Sequence, residues 1–426
     1  MKHNAKVRVF LVALFMFGVL LAMTGAVAYT YPPEMQDQLV LERVAQGVDD
    51  SISAGELSDL QAIADHKGIS LQAAIDRYAW NNTFSLTVDK IRRVFPGDFA
   101  AAKIVDAGNA WVAFAEGVPE GAHDIIDTFT SSHSEISVEL RTGFGFTEVE
   151  VQSAVPAVHH SMTNAPEVLD AYTYFDLAST QIKANVVLAG TASGSVLDDL
   201  RAVAVENLTD ATRANILQSI TVSVIRSDIQ VLSGTHSDTE HMGGEILNEC
   251  TSGFAITDSS GVRGIATAGH CSNSLTDDGS NLTYQAEHIG DYGDFQWHRG
   301  PQNHVDEFYG GYASSTEASI RDVDFVGSPD EGQTLCRNGK VSHRDCQEVF
   351  HTNACTVGTA NDVCNLVVME GSLSAAGDSG GPVYYGYTAY GFHQGWVRDP
   401  NEPFDRDVFS RADRIDDALG VFVTNN

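Results

Sequence analysis

Three patterns of hydrophobic and polar residues follow one another along this 426-residue chain. The first is an almost unbroken apolar run over residues 9–21, behind a basic start of Lys2, Lys6 and Arg8. Ala26-Val27-Ala28 then supplies small residues of the kind an export peptidase cuts after, so residues 1–28 read as a signal peptide. A retained membrane anchor is the alternative, although the run is short for a bilayer span. A polar stretch with Pro32-Pro33 follows, and a helical period begins after it. Ser58 with Gln61 reads as a capping box, Leu60, Ile63 and Ala64 form one apolar face, and Gly68 ends that helix. Ser70 opens a second helix through Ala74, Ile75 and Tyr78. Strands are expected over 109–117, 136–151, 181–189 and 220–228, separated by helices near 122–129, 167–175 and 195–207. This α+β stretch contains no cysteine and no nucleophile–base pair.

Around 233–244 the chain turns to Ser, Gly, Thr, His and Asp, as a linker or cleavage junction does. Beyond Ile246 the third pattern sets in, with short strands at 252–258, 262–270, 282–290, 294–299, 365–371, 381–387 and 408–413. Glycine-rich turns join them, and a helix is expected only at 412–419. Such a pattern predicts antiparallel β-barrels. The domains read as a signal at 1–28, an α+β propeptide at 29–242 and an all-β domain at 243–426.

Charge narrows the partners. The formal net charge is −32, from 57 acidic against 25 basic residues, which excludes nucleic acid and a polyanionic membrane surface. After Lys183 the one remaining lysine is Lys340. A saline habitat and an ordinary acidic secreted protein both fit such a surface. All six cysteines fall between Cys250 and Cys364. Export makes them a disulfide framework, for which counting alone allows fifteen pairings.

The chemistry centres on Gly377-Asp378-Ser379-Gly380-Gly381-Pro382. A serine between glycines sits on a tight turn where a substrate backbone can come close, and the amides of Gly377 and Ser379 would form a two-donor pocket for an oxyanion. Upstream, Thr267-Ala268-Gly269-His270-Cys271 places a base after an apolar strand. A serine hydroxyl needs such a base and an orienting acid to act as a nucleophile. Together the two motifs resemble the chymotrypsin-like serine peptidases, and most closely the secreted bacterial branch of streptogrisins and alpha-lytic endopeptidase. The segment 58–80 likewise resembles the start of the pro-region of alpha-lytic-type peptidases, and Gly243-Gly244 resembles the start of mature members.

The resemblance implies Ser379 as nucleophile, His270 as base, no cofactor and no metal, and a pair of six-stranded barrels. It implies an acid at the start of a strand, which Asp294 before Phe295-Gln296-Trp297 satisfies; Asp291 is the alternative, with a turn aspartate as its ordinary role. In trypsin-like members an aspartate six residues before the serine binds basic side chains; here that position is Leu373, and Glu370 would need a loop shift to replace it. The strand that meets the substrate backbone carries Gln394, Gly395 and Trp396, with Gln394 and Trp396 departing from the family's serine and glycine. This favours small or medium apolar residues at P1. The resemblance further implies disulfides Cys250–Cys271 and Cys336–Cys346, leaving Cys355 and Cys364 for each other in a departure from the family. Cys336-Arg337-Asn338-Gly339 resembles the bacterial motif in which an internal arginine pairs with the aspartate before the serine, here Asp378. The expected product is a secreted, monomeric endopeptidase acting on proteins or peptides, with its own propeptide as folding catalyst and inhibitor. A binding protein on a peptidase scaffold is the competing class. Self-cleavage is expected at an exposed Met242–Gly243 bond.

Overall fold

The computed structural model describes residues 52–188, 241–301, 303–311, 320–358, 361–398 and 405–425. The expected signal peptide, the helix at 195–207, the strand at 220–228 and most of the 233–244 junction lie outside the described residues. Among the described residues no helix is long and apolar enough to cross a membrane.

The first helix, Ala54–Lys67, is opened by Ser53. Its hydroxyl accepts the Glu56 N–H at 3.2 Å, and the Glu56 carboxylate accepts the Ser53 N–H at 2.9 Å. This capping box stands five residues before the one expected at Ser58, because Ser53 has a carboxylate three residues on. Gly68 ends the helix in the left-handed conformation, and Ser70 caps the next, Leu71–Tyr78. A third helix, Asn81–Val94, was not anticipated. Its Asn81, Ser85, Thr87 and Asp89 are buried, so no polar face marks its period.

Two expectations in this region are corrected. The strand predicted over 136–151 ends at Arg141, and a helix, Glu148–Thr163, starts within it. Thr147 and Glu150 form a reciprocal capping box that overrides the local alternation of valines. The helix predicted at 167–175 is a strand, Val168–Asp176, hairpinned to Gln181–Leu188. Ala171-Tyr172-Thr173-Tyr174-Phe175 is rich in aromatic and β-branched residues, which suit a pleated sheet.

The later part of the chain is all-β and forms two packed barrels. In the first, Thr283–Gly290, Gly293–Arg299, Arg263–Thr267 and Ala255–Asp258 run antiparallel, and the C-terminal strand Val421–Val423 extends that sheet. A second sheet joins Ile320–Asp322, His304–Tyr309 and His241–Gly243, the last pair parallel. In the second barrel, Thr334–Gly339, Pro382–Tyr385, Thr388–Arg398, Asp405–Arg411, Asp362–Met369 and His343–Val357 close on themselves. Phe254, Phe308, Phe295 and Phe392 pack edge-to-face where the barrels meet.

The α+β region is bound to this β-domain through sheet, core and charge. Its hairpin strand Val168–Asp176 pairs with His343–Val357, Thr173 opposite Cys355. Leu60, Ile63, Ala74 and Tyr78 share one hydrophobic cluster with Tyr384, Tyr385 and Phe392. Asp59, wholly buried, takes both Nη atoms of Arg321 at 2.7 and 2.9 Å. Arg92 reaches Glu148 and Asp330, each at 2.8 Å, and also pairs with Asp89.

The expected exposure of Met242–Gly243 is not found. His241, Met242 and Gly243 are all buried, because this short strand fills the edge beside His304–Tyr309.

Candidate active site

His270 follows the strand Arg263–Thr267 on a turn in which the Cys271 N–H donates to Ala268 O at 3.2 Å. Asp294 is the second residue of Gly293–Arg299, which pairs with that strand, so sheet register brings the two side chains together. The His270 backbone N–H donates to Asp294 Oδ1 at 2.9 Å, and His270 Nδ1 lies 2.5 Å from Oδ2. A side chain at Gly269 would place its Cβ 2.6 Å from Asp294 Oδ1, so only glycine allows this approach. The Asp294 N–H donates to Ser410 Oγ of the second barrel at 2.9 Å. Asp291, the alternative acid, is exposed and lies 2.6 Å from His160 Nε2 of the α+β region. The structure thus brings Asp294, and not Asp291, to His270.

Ser379 comes from the other barrel. Its Oγ lies 3.0 Å from His270 Nε2 and 3.2 Å from the carbonyl oxygen of Gln394. Thr251 of the first barrel clamps the turn from below, its N–H donating to Ser379 O at 2.8 Å and its hydroxyl to Gly377 O at 2.9 Å. Gly377 has φ 105°, which turns its amide in a way an L-residue resists. Neither the Gly377 nor the Ser379 N–H donates to a protein acceptor among the described residues. Both residues line the cleft.

Burial opposes protonation of His270, but the hydrogen bond and charge of Asp294 outweigh it and lift its pKa above the ordinary 6.5. Beneath the turn, Asp378 is fully buried and ionised. Burial alone would raise its pKa; Arg337, the Ser342 hydroxyl and the Ala375 amide bring it below 3.8. Arg337 Nη1 is 3.3 Å from Asp378 Oδ2, and its Nε is 3.4 Å from Asp407 Oδ2. The carboxylate also accepts the N–H groups of Val341, Ser342 and Ala375 at 2.8, 3.1 and 2.8 Å. The three disulfides join Cys250 to Cys271, Cys336 to Cys346 and Cys355 to Cys364. The first adjoins His270, and the second crosses the two strands that carry and face Arg337.

A cleft of about 360 Å³ opens beside Ser379. Gln394, Gly395 and Trp396 line it. Leu373 does not: its N–H is held by Asp407 Oδ2 at 3.1 Å and its side chain is 46 % exposed. Glu370 is not a lining residue either. Sequence reasoning missed Ser374, Ala375, Ala376, Thr356, Val357 and Val408, which also line the cleft. Ser374 was within reach, being next to Leu373; the residues of the long hairpin were not.

Two groups of side chains approach the spacing of metal ligands among the described residues. One includes Cys364, which its disulfide withdraws. The other is His241, Glu245 and Asp277, where the imidazole pairs with the Asp277 carboxylate. Neither group lines the cleft.

No family model and no curated protein matches the sequence. Solved structures do resemble it. A glutamic-acid-specific serine protease that uses a histidine triad in substrate binding is 22 % identical with TM-score 0.38, covering 43 % of this chain and all of its own. The Nocardiopsis protease NAPase is 19 % identical with TM-score 0.38, and Thermobifida fusca protease A is 20 % identical with TM-score 0.37. Each covers 44 % of this chain and all of its own.

Proposed function

We propose that the chain is a secreted serine endopeptidase made as a zymogen. The observation that carries this reading is the continuous hydrogen-bonded line from buried Asp294 through His270 to Ser379 at an open cleft. Ser379 Oγ attacks the substrate carbonyl carbon while His270 Nε2 takes its proton. The oxyanion is received by the N–H groups of Gly377 and Ser379. His270 then returns the proton to the leaving amine, and water repeats the sequence on the acyl-enzyme. Asp294 holds the ring with Nδ1 protonated and stabilises the imidazolium. The apolar surface of Ala375, Ala376, Val408 and Trp396 favours an apolar stretch of side chain at P1. A serine-reactive fluorophosphonate should label the processed protein and fail on the Ser379→Ala and His270→Ala forms. Equal labelling of the Ser379→Ala form, or none of the wild type, leaves the scaffold-only binding protein as the better reading.

The α+β region is read as a propeptide that templates the slow-folding barrels and is then removed. Buried His241–Gly243 favours a cut N-terminal to His241 rather than at Met242–Gly243. N-terminal sequencing of the secreted form checks this.

The contact between the two regions should loosen as pH rises. His160 sits between Asp291 and Asp362, at 2.6 and 3.1 Å. Burial opposes its protonation, yet these carboxylates lift its pKa above 6.5. Asp330, buried beside Arg92, is pushed up to about 7 by burial, which the guanidinium only partly offsets. Both groups hold more protons in the contact than when free. For these two groups the contact is therefore firmest below their free values and weakens as pH climbs, from about 3.8 to about 7 for Asp330 and from 6.5 through the raised value for His160. His159, pushed down to about 4 by burial, acts in the opposite sense only up to 6.5. The affinity of the cleaved, non-covalent complex should fall by up to about tenfold per pH unit for each proton lost. Equilibrium binding measured between pH 5 and 9 checks it, and a flat profile contradicts it.

A further inference from the structure

An acid, Asp407, lies buried behind the cleft wall, although the position six before the serine, Leu373, carries none. Ser374 lines the cleft, and its hydroxyl lies 2.5 Å from Asp407 Oδ1. A serine hydroxyl has one proton; a carboxylate can only accept it, so the lone pairs of Ser374 Oγ remain as acceptors toward the cleft. Asp407 itself is 1 % exposed, next in sequence to the wall residue Val408. Its other oxygen takes the Leu373 N–H and Gln347 Nε2, both at 3.1 Å.

Charge around the floor does not cancel. Asp378 and Asp407 share the guanidinium of Arg337, and the Lys340 ammonium acts on both Asp378 and Glu249, so three carboxylates meet two cations. His393, which lines a small interior space together with Arg337, adds nothing positive, since burial, with Arg337 next, pushes its pKa down to about 4. No lysine or arginine is among the described residues lining the cleft, whose own acids are exposed Glu249 and Asp294, the latter engaged by His270. In a pocket walled by low-dielectric groups this imbalance is screened far less than on the open surface.

We propose, resting on the peptidase reading above, that the primary pocket takes lysine or arginine at P1, the aliphatic stem against Ala375, Ala376, Val408 and Trp396 and the cationic head donating to Ser374 Oγ in front of Asp407. Apolar walls and an acidic, acceptor-only floor suit a side chain that is itself apolar along its length and cationic at its tip. The acid enters from the strand Asp405–Arg411 instead of from the loop before the nucleophile.

The test compares peptides that differ only at P1: lysine, arginine, norleucine, phenylalanine and glutamate. Norleucine keeps the lysine stem without the ammonium. Lysine or arginine should exceed norleucine in kcat/KM on the order of ten- to a hundredfold, the worth of a hydrogen bond to a charged group. Ser374→Ala removes the acceptor, together with the one bond Ser374 gives Asp407, and should bring the lysine-to-norleucine ratio close to one. Asp407→Asn should do the same, but Asp407 also holds Leu373 and Gln347, so Ser374→Ala is the primary variant. Norleucine, phenylalanine or glutamate cleaved ahead of lysine and arginine overturns the inference while the peptidase reading stands. A ratio unchanged by Ser374→Ala also overturns it. Failure to cleave any peptide, together with failure of fluorophosphonate labelling, overturns the peptidase reading and this inference with it.

Discussion

Replacing Asp294 by asparagine is expected to lower turnover on the order of ten-thousand-fold, the cost of the same change in the serine peptidase triad that serves as the standard example. The geometry gives the reason. Asp294 uses Oδ1 to accept the His270 backbone N–H and Oδ2 to face Nδ1. An asparagine that keeps the first bond turns its NH₂ toward the ring. The ring then accepts at Nδ1 and carries its proton on Nε2, where it cannot take one from Ser379. The wild type should show kcat/KM rising with pH through a value above 6.5, because Asp294 favours the imidazolium that must first lose its proton. Rates of peptide hydrolysis for Asp294→Asn and Asp291→Asn, side by side, check the assignment. A collapse in Asp291→Asn with near-normal turnover in Asp294→Asn reverses it.

The barrels were readable because their strands alternate and their turns are glycine-rich; the α+β region was less so. The strand expected over 136–151 runs into the first turn of the helix Glu148–Thr163 because Val149 and Val151 alternate with glutamates. Asn81–Val94 was passed over because the face it buries against the β-domain is polar: Asn82 bonds to the Tyr390 hydroxyl at 2.8 Å and Asp89 to the Ser328 N–H at 2.9 Å. Local pattern records burial against apolar neighbours and is silent about burial against hydrogen-bonding ones. His343–Val357 shows the same limit. Its fifteen residues include charged and amide side chains, yet it serves both the barrel and the added hairpin Val168–Asp176.

At the site, motif spacing pointed to His270 and Ser379, and strand position pointed to Asp294 over Asp291. The floor of the pocket had no such mark. The family register for an acid before Ser379 holds Leu373, while Asp407 stands behind Ser374 on a paired strand, opposite Trp396. Contacts across a sheet depend on register that no local stretch records. The buried strand His241–Gly243 escaped for a related reason: its three residues carry no alternation long enough to read, and its place is set by His304–Tyr309.

Arg337→Ala should cost about 3–5 kcal/mol of stability, because it leaves buried carboxylates without their cation. Asp378 is 0 % exposed and Asp407 1 %, and the same guanidinium stands within 3.4 Å of both. Arg337→Lys should recover only part of the loss, since a single ammonium cannot span two acids as a planar fork does. The functional effect follows from the other bonds of Asp378. Its carboxylate accepts the Ala375 N–H, and its carbonyl oxygen accepts the Gly381 N–H at 3.0 Å, so it fixes the turn on both sides of Ser379. With Asp378 drawn toward water, the Gly377 amide loses its aim and turnover should fall along with stability. The sign with pH is fixed as well. Asp378 has a pKa lowered in the folded state, so its contribution is present above 3.8 and is lost as pH falls through the lowered value. Arg337→Ala should therefore flatten the acid limb of the stability profile. Urea denaturation of the Ser379→Ala background avoids self-digestion and reads the stability term; peptide hydrolysis in the active background reads the other. An Arg337→Ala protein with unchanged midpoint and unchanged turnover rules the bridge out as a support of the nucleophile turn.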